Sequence, residues 1–377
     1  MIQLSGISKN IDTPLIGKIS FSSVLKKGRH NTIYINPELS YRKLKDYLAV
    51  ISSVENINIP NLEHLPIIYN TRDISSLDNG DVVELLPNGL INVLYQINSK
   101  DNILFLTQRC NQNCLMCPQP LENKEDNLFE TNLKLIQLID KSTEEIAITG
   151  GEPTVVGENL FKIILACKHF LPNTTLLLLT NGMKFSDYKY THIFSSIKHP
   201  KIIIAVSLQS DNPIDHDYIV GREGAFSQTV KGIINLASFG NIIEIRIVIQ
   251  RYNYQRLQSI ADYIYRNMTF VEHINFMGLE TIGYALKNLK LLWVEPEDIC
   301  KPLEEAVHYL VQRHMKVSVY NIPLCLIPKR LWGYARQSIS AWKNVFDSKC
   351  EVCSMREKCS GLFESGIDIY SKYLKTL

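Results

Sequence analysis

The sequence predicts an α/β fold, a partial (β/α)6 barrel carried between a small N-terminal α+β domain and a Cys-rich C-terminal extension. Three observations predict it. Six short apolar runs recur through the middle of the chain, at residues 103–106, 146–148, 176–179, 202–206, 242–249 and 274–277. Amphipathic stretches lie among them, at 133–139, 160–170, 230–239 and 257–265. Near-continuous apolar strands alternating with helices are the pattern of a parallel sheet covered by helices. The cysteines are also concentrated: of nine, three fall within 110–117 and four within 325–359.

Residues 1–98 read as the N-terminal domain, with a role either in peptide or partner recognition or simply in packing. The run 32–35 is a short strand, followed by a helix capped by Ser40 with Leu44, Leu48 and Ile51 on one face. Runs at 81–86 and 90–95 flank Pro87-Asn88-Gly89. Asn-Gly favours positive φ, so this is a β-hairpin, and an exposed edge on it would accept an extended peptide by strand addition. Residues 99–284 hold the six strand–helix units, too few for a closed eight-stranded barrel but enough for an open one. After about residue 284 the alternation stops, and the third unit, 285–377, begins: a helix over 296–313 leads through 317–320 into a Cys-rich tail, 325–359, which metal would organise.

The bulk composition excludes several classes. Net charge is only +2, with Lys and Arg scattered, which leaves no footprint for nucleic acid or an anionic membrane. No apolar run approaches the ~18 residues that span a bilayer. The first 18 residues lack a basic segment followed by an apolar one. A cytoplasmic protein is expected, and in a reducing compartment the cysteines point to metal rather than disulfides.

The strongest local signal is Cys110-Asn-Gln-Asn-Cys114-Leu-Met-Cys117, directly after the first barrel strand, where a parallel barrel places its active-site loops. Three thiolates in one tight loop hold three irons of a cubane cluster and leave the fourth iron open. A structural zinc site wants four ligands, and the loop has no fourth Cys or His nearby. The second strand ends in Thr149-Gly150-Gly151-Glu152-Pro153, the third in Thr180-Asn181-Gly182 and the fourth in Ser207-Leu208-Gln209. On the fifth, Glu244, Arg246, Val248 and Gln250 share one face. A polar face on an interior strand marks an occupied cavity or an internal ion pair of Arg246 with Glu244 or Glu152, because an unpaired buried charge is expensive.

The Cys-x3-Cys-x2-Cys spacing, with these groups at successive strand ends, resembles the radical S-adenosylmethionine (SAM) superfamily. The resemblance implies a [4Fe–4S] cluster on Cys110, Cys114 and Cys117, whose open iron takes the amino and carboxylate groups of SAM. One electron then cleaves the S–C5′ bond, and the 5′-deoxyadenosyl radical removes a hydrogen atom from the substrate. It also implies SAM contacts: Gly150, Gly151 and Glu152 at the amino group, Ser207 and Gln209 at the ribose, and Arg246 at the carboxylate. Asn181 has the same candidate status, and Met116, where the family commonly has an aromatic residue, would pack on adenine.

Cys325, Cys350, Cys353 and Cys359 supply four further thiols, enough for an auxiliary [4Fe–4S] cluster and equally for a closed zinc site. The superfamily context favours iron–sulfur. Cys167 continues the helical spacing of Leu160, Ile163 and Ile164 and reads as core, and Cys300 reads as packing. His216 reads as a surface hydrogen-bonding residue rather than a substrate contact.

A narrower resemblance rests on Asn321-Ile322-Pro323-Leu324-Cys325, Leu331-Trp332, Ser338-Ile339-Ser340-x-Trp342-Lys343-Asn344, Cys350–Cys359, and Pro118-Gln119-Pro120 after the first loop. Over roughly residues 80 to 363 these resemble the C-type radical SAM maturase of the His-Xaa-Ser system. Gly361-Leu362-Phe363-Glu364-Ser365 departs from that pattern. The resemblance implies a ribosomally made precursor peptide as substrate, with His-Xaa-Ser repeats, and as partners a reductant protein and a second radical SAM maturase. Two other readings compete: a radical SAM enzyme acting on a small molecule, and a non-catalytic iron–sulfur carrier or sensor. The carrier leaves Gly150–Pro153, Ser207 and Arg246 unexplained.

Overall fold

The computed structural model describes residues 2–22, 31–36, 44, 47–56, 64–119, 126–338 and 344–377. The chain divides into two compact units. One is Met1–Phe105 with Leu128–Ile146 and Lys162–Thr174; the other is Leu106–Asn127 with Ala147–Phe161 and Thr175–Leu377.

The first unit opens with eight strands: β1 (Gln3–Ser5), β2 (Ile7–Lys9), β3 (Leu15–Ser20), β4 (Thr32–Ile35), β5 (Ala49–Ile51), β6 (Ile67–Tyr69), β7 (Val82–Leu85) and β8 (Leu90–Tyr95). Their order is β1-β8-β7-β3-β4-β5-β6-β2. Only Gly6 separates β1 from β2, yet these strands stand at opposite ends of that order. The chain pairs antiparallel with β8, turns at Gly6 and pairs antiparallel with β6, so the sheet returns on itself. A Cβ at Gly6 would lie 2.6 Å from both Thr71 Oγ1 and Tyr69 O, which is why the corner is a glycine.

The expected hairpin is present, with β7 antiparallel to β8. Its edges are not exposed. β8 is covered by β1 and β7 by β3, so strand addition to the hairpin has no free edge to use. Inside lie Ile19, Ile33, Ile51, Ile68, Val83 and Ile91, and a second cluster, with Tyr34, Tyr47, Val50 and Ile67, covers the other face of β4–β6. Burial on both faces accounts for the apolar composition of β4 and β5. It also corrects the far end of the expected helix. Ile51 stands in β5, where burial of a β-branched run overrides helical spacing, and Ser40 lies outside the described residues.

The second sheet has the order β16-β15-β14-β13-β12-β11-β10-β9. Its strands are β9 (Ile103–Phe105), β10 (Glu145–Thr149), β11 (Thr175–Thr180), β12 (Ile202–Ser207), β13 (Ile242–Val248), β14 (His273–Met277), β15 (Val317–Tyr320) and β16 (Ala335–Arg336). From β11 to β16 each neighbouring pair is parallel. The helices are α1 (Phe129–Leu138), α2 (Glu158–Phe170), α3 (Tyr188–Ser196), α4 (Pro213–Val220), α5 (Ala225–Ser238), α6 (Leu257–Asn267), α7 (Gly283–Lys287), α8 (Leu289–Leu292), α9 (Pro296–Val311) and, near the end of the chain, α10 (Ile367–Tyr370). The α/β class and all six expected strands are there.

Two features lie beyond the sequence pattern. The sheet does not end near residue 284: α9 carries the chain back to β15, parallel to β14, and β16 adds a last rung. Strands of four and two residues are too short to read as another repeat. Helix α4 also lacks an amphipathic pattern. It is fixed by its ends instead: Asn212 accepts from the Ile214 N–H, Pro213 occupies the first turn, and Gly221 closes it in the left-handed region. Among the described residues no helix is long and apolar enough to cross a membrane.

Candidate active site

The chain leaves β9 through Thr107, Gln108 and Arg109. Gly151 N donates to Thr107 O at 2.8 Å and Glu152 N to Arg109 O at 2.9 Å. A Cβ at Gly150 would lie 2.4 Å from Thr107 O, and one at Gly151 would lie 2.3 Å from Arg109 O. The paired glycines therefore let two main-chain segments meet at the root of the cysteine loop. Asp126 braces the same root, accepting from Thr107 Oγ1 at 2.8 Å and from the Gln108 N–H.

The loop itself is held from two further directions. Asn113 N and Leu115 N donate to the last carbonyls of α4, Val220 O at 3.0 Å and Ile219 O at 2.9 Å. At the start of α7, Tyr284 N donates to Cys117 O at 2.8 Å, and Asn288 Nδ2 donates to Leu115 O at 2.9 Å. Cys110, Cys114 and Cys117 are free thiols, each partly exposed. Burial pushes Cys110 up to about 11 and raises Cys114 and Cys117 as well. Without metal the loop thus carries neutral thiols at pH 7, and taking up metal releases their protons. Three thiols on one braced loop are the donor set of a site-differentiated [4Fe–4S] cluster, so the residues fit the group.

The other strand-end residues fall into two groups. In the first, Glu152 is 1% exposed, and the chain itself supplies its carboxylate with four hydrogen bonds. Oε1 accepts from Thr154 N (2.9 Å), Thr154 Oγ1 (2.7 Å) and Thr180 Oγ1 (2.7 Å), and Oε2 from Asn181 N (2.7 Å). Burial nonetheless raises its pKa, working against these donors. Asn181 Nδ2 in turn donates to Asn111 Oδ1 at 2.6 Å, inside the cysteine loop.

In the second group, Ser207 is in register with Arg246. Gln209 Oε1 accepts from Val248 N at 3.1 Å, and Asn253 Nδ2 donates to Gln209 O at 2.9 Å. Arg246 Nε is paired with Glu244 Oε1 at 2.6 Å, the internal ion pair that the polar face allowed for. Met116 is packed among Ile219, Val220, Leu279 and Leu292.

His216 belongs to the second group, and it is not on the surface. It is fully buried on α4 against Phe226, and Nδ1 accepts from Gln209 N at 3.2 Å. Burial pushes its pKa down to about 4. The helix ends that bury it leave no periodic trace in sequence. Asn111, Gly221, Gly283 and Asn288 were also missed. Gly221 has a signal, as a helix-stop glycine, but Asn288 lies 173 residues from its partner Leu115 and has none.

The four tail cysteines come together. Cys325, Cys350, Cys353 and Cys359 all line one pocket. Cys359 Sγ accepts from Leu324 N at 3.3 Å and from Gly361 N at 3.5 Å, and burial raises the Cys325 and Cys350 thiols. Among the described residues no group of three or more His, Cys, Asp or Glu is placed to hold one metal ion. Four thiols on one pocket, with N–H donors on the Cys359 sulfur, are a donor set for a cluster or for a closed zinc site. Residues 339–343 of the tail pattern, with Ser340, Trp342 and Lys343, lie outside the described residues, as does Pro120. Cys167 is buried in α2, and Cys300 Sγ lies 3.3 Å from Pro296 O and 3.2 Å from Leu326 O, either of which can accept its S–H.

Residues 104–264 match the family model of the Radical SAM superfamily. This segment is a radical SAM domain. The chain is 30% identical over 226 residues to the antilisterial bacteriocin subtilosin biosynthesis protein AlbA of Bacillus subtilis (strain 168), covering 57% of this chain and 44% of AlbA. It is 26% identical over 141 residues to the GTP 3′,8-cyclase of Peptoclostridium acidaminophilum, covering 36% of this chain and 42% of the cyclase. Among solved structures, Streptococcus suis SuiB bound to precursor peptide SuiA aligns with a TM-score of 0.48 at 15% identity, over 59% of this chain and 48% of that one. The chain thus spans less than half the length of the curated relatives named here.

Proposed function

We propose that the chain is a radical SAM maturase of a ribosomally made peptide, with a SAM-binding [4Fe–4S] cluster on Cys110, Cys114 and Cys117 and an auxiliary cluster on Cys325, Cys350, Cys353 and Cys359. The observation that carries this is the convergence of the four tail cysteines on one cavity, in a chain whose radical SAM domain ends well before them. The similarity to a protein named for bacteriocin biosynthesis supports a peptide substrate, and the tail pattern supports one with His-Xaa-Ser repeats. When bound, the first cluster and SAM supply a 5′-deoxyadenosyl radical.

The chain's own part is to hold and orient. The main chain of Gly150–Glu152 would meet the SAM amino group, while the Glu152 carboxylate stays engaged with Thr154, Thr180 and Asn181. Ser207 and Gln209 would face the ribose. Arg246 keeps Nε on Glu244 and would offer its terminal nitrogens to the SAM carboxylate. The similarity to the cyclase favours a second reading, a small-molecule substrate.

The test is anaerobic iron reconstitution followed by SAM and dithionite, with 5′-deoxyadenosine read by mass spectrometry. The expected result is its formation, with about eight irons per chain. Cys114→Ala should abolish it and leave about four irons in the tail; Cys353→Ala should lower iron while keeping the loop cluster. Retained SAM cleavage in Cys114→Ala would sink the active-site assignment, and unchanged iron in Cys353→Ala would sink the auxiliary cluster. Abstraction of hydrogen from a nucleotide but not from a His-Xaa-Ser peptide would favour the small-molecule reading.

A further inference from the structure

Asn181 looks like a SAM contact from its place at the end of the third barrel strand. Its hydrogen bonds point elsewhere. Its N–H donates to Glu152 Oε2 at 2.7 Å and its carbonyl accepts from Thr229 Oγ1 at 2.9 Å, so its backbone is fixed on both sides. Its side-chain Oδ1 accepts from Met183 N at 3.0 Å. That bond settles which end of the carboxamide is oxygen, because a backbone N–H requires an acceptor. Nδ2 is thereby turned toward the cysteine loop, where it donates to Asn111 Oδ1 at 2.6 Å. Asn181 is only 8% exposed. A second contact runs alongside: Gln112 Nε2 donates to Met183 Sδ at 3.2 Å, and Gln112 Oε1 accepts from the Cys114 thiol at 3.5 Å.

We infer that Asn181 is a positioning residue, which sets the cysteine loop against the end of β11 through Asn111 and does not contact SAM. Residues 181 and 183 grip residues 111 and 112, next to Cys110, while the Glu152 carboxylate grips residue 181. The Gly-Gly-Glu-Pro segment and the cysteine loop are in this way fixed to one another through a third strand end, before any ligand arrives. The inference rests on the radical SAM reading of the loop.

The experiment times iron release from the reconstituted chain to a ferrous chelator in the absence of SAM, with the tail's contribution taken from Cys114→Ala. Asn181→Ala and Asn111→Ala should each speed loss of loop iron about fivefold, the equivalent of one lost hydrogen bond of about 1 kcal/mol. The double variant should be no faster than either single one, because both remove the same contact. SAM affinity is measured in parallel by equilibrium binding. If Asn181→Ala weakens SAM binding about tenfold or more while iron release is unchanged, or if the two single effects multiply, the assignment is overturned. Asn111→Ala alters only a partly exposed loop side chain, so the comparison survives a folding defect in Asn181→Ala. An unmodified chain that holds loop iron but makes no 5′-deoxyadenosine would count against the proposed function, while the release rates would still decide Asn181.

Discussion

The loop and the tail bring cysteines together by different means. The loop packs three thiols into eight residues, and hydrogen bonds from the ends of β10, α4 and α7 fix its backbone. The tail draws its four from a span of 35 residues and carries two of them on three-residue turns, Leu324–Leu326 and Ser348–Cys350, with Cys359 directly after a third, Arg356–Lys358. That segment is tied by the Val345–Leu362 bridge, with bonds of 2.9 and 2.7 Å, by Gln337 Nε2 donating to Glu357 O and Cys359 O, and by bonds from Lys349 to Ser371 and from Ser354 to Leu377. On the proposed reading the loop is a shape that would receive metal, whereas the tail sets its ligands on short turns that metal would help to hold.

Removing the metal should therefore separate them most sharply. After anaerobic chelation, limited proteolysis should cut within 344–377 roughly tenfold faster, as in small metallo-domains whose folding is coupled to binding, and leave 106–119 as protected as before. Equal protection of both segments would mean that the tail is self-supporting. Equal exposure would mean that the loop's braces are weaker than their hydrogen bonds indicate.

Glycines offer a finer comparison, since each region has one at positive φ against a carbonyl. A Cβ at Gly283 (φ 57°) would lie 2.3 Å from Pro118 O, and one at Gly361 (φ 64°) would lie 2.7 Å from Val345 O. Gly283→Ala combines backbone strain with overpacking and should cost about 3 kcal/mol, with or without iron. Gly361→Ala should cost about 2 kcal/mol in the iron-loaded protein and much less after chelation, when its surroundings can give way. Urea unfolding of both variants in both states checks this, and an iron-independent cost at Gly361 would erase the distinction.

The sequence shows these regions unequally, for physical reasons. Strand ends are legible because apolar runs stop abruptly at Gly, Ser and Asn, so Gly150–Glu152, Asn181 and Ser207 were locatable. Thiols are legible by their rarity. What those residues touch was not, because the contacts are set by register and by distant segments. The polar face of the fifth strand already allowed Arg246 to pair with Glu244 or Glu152, and the fold chooses Glu244; the turn of Glu152 toward Thr180, and Asn288 on Leu115, need the fold first. The closure through Gly6 and the short strand β15 were hidden because one residue or four carry no periodicity. His216 was misplaced because burial on α4 comes from caps and tertiary packing, with no helical pattern to announce it.

That buried histidine also gives the smallest and most local test. His216 holds Gln209 N on Nδ1, and the helix that bears it ends in the carbonyls gripping Asn113 and Leu115. The tail contains no histidine after His314. Folded, His216 is held down to about 4; unfolded, it returns to the usual value near 6.5. Above pH 6.5 neither state binds the proton and stability is indifferent to it. As pH falls from 6.5 toward 4, the unfolded chain takes up a proton that the folded chain refuses, so stability drops. Between pH 7 and pH 5 the loss from this one residue is about 2 kcal/mol. His216→Gln keeps an acceptor for Gln209 N without a titrating ring, so urea unfolding of the variant should lose about 2 kcal/mol less than the unmodified chain over that range. Parallel pH curves for the two proteins would show that His216 is not buried neutral. The support that α4 gives the cysteine loop would then have to come from elsewhere in the helix.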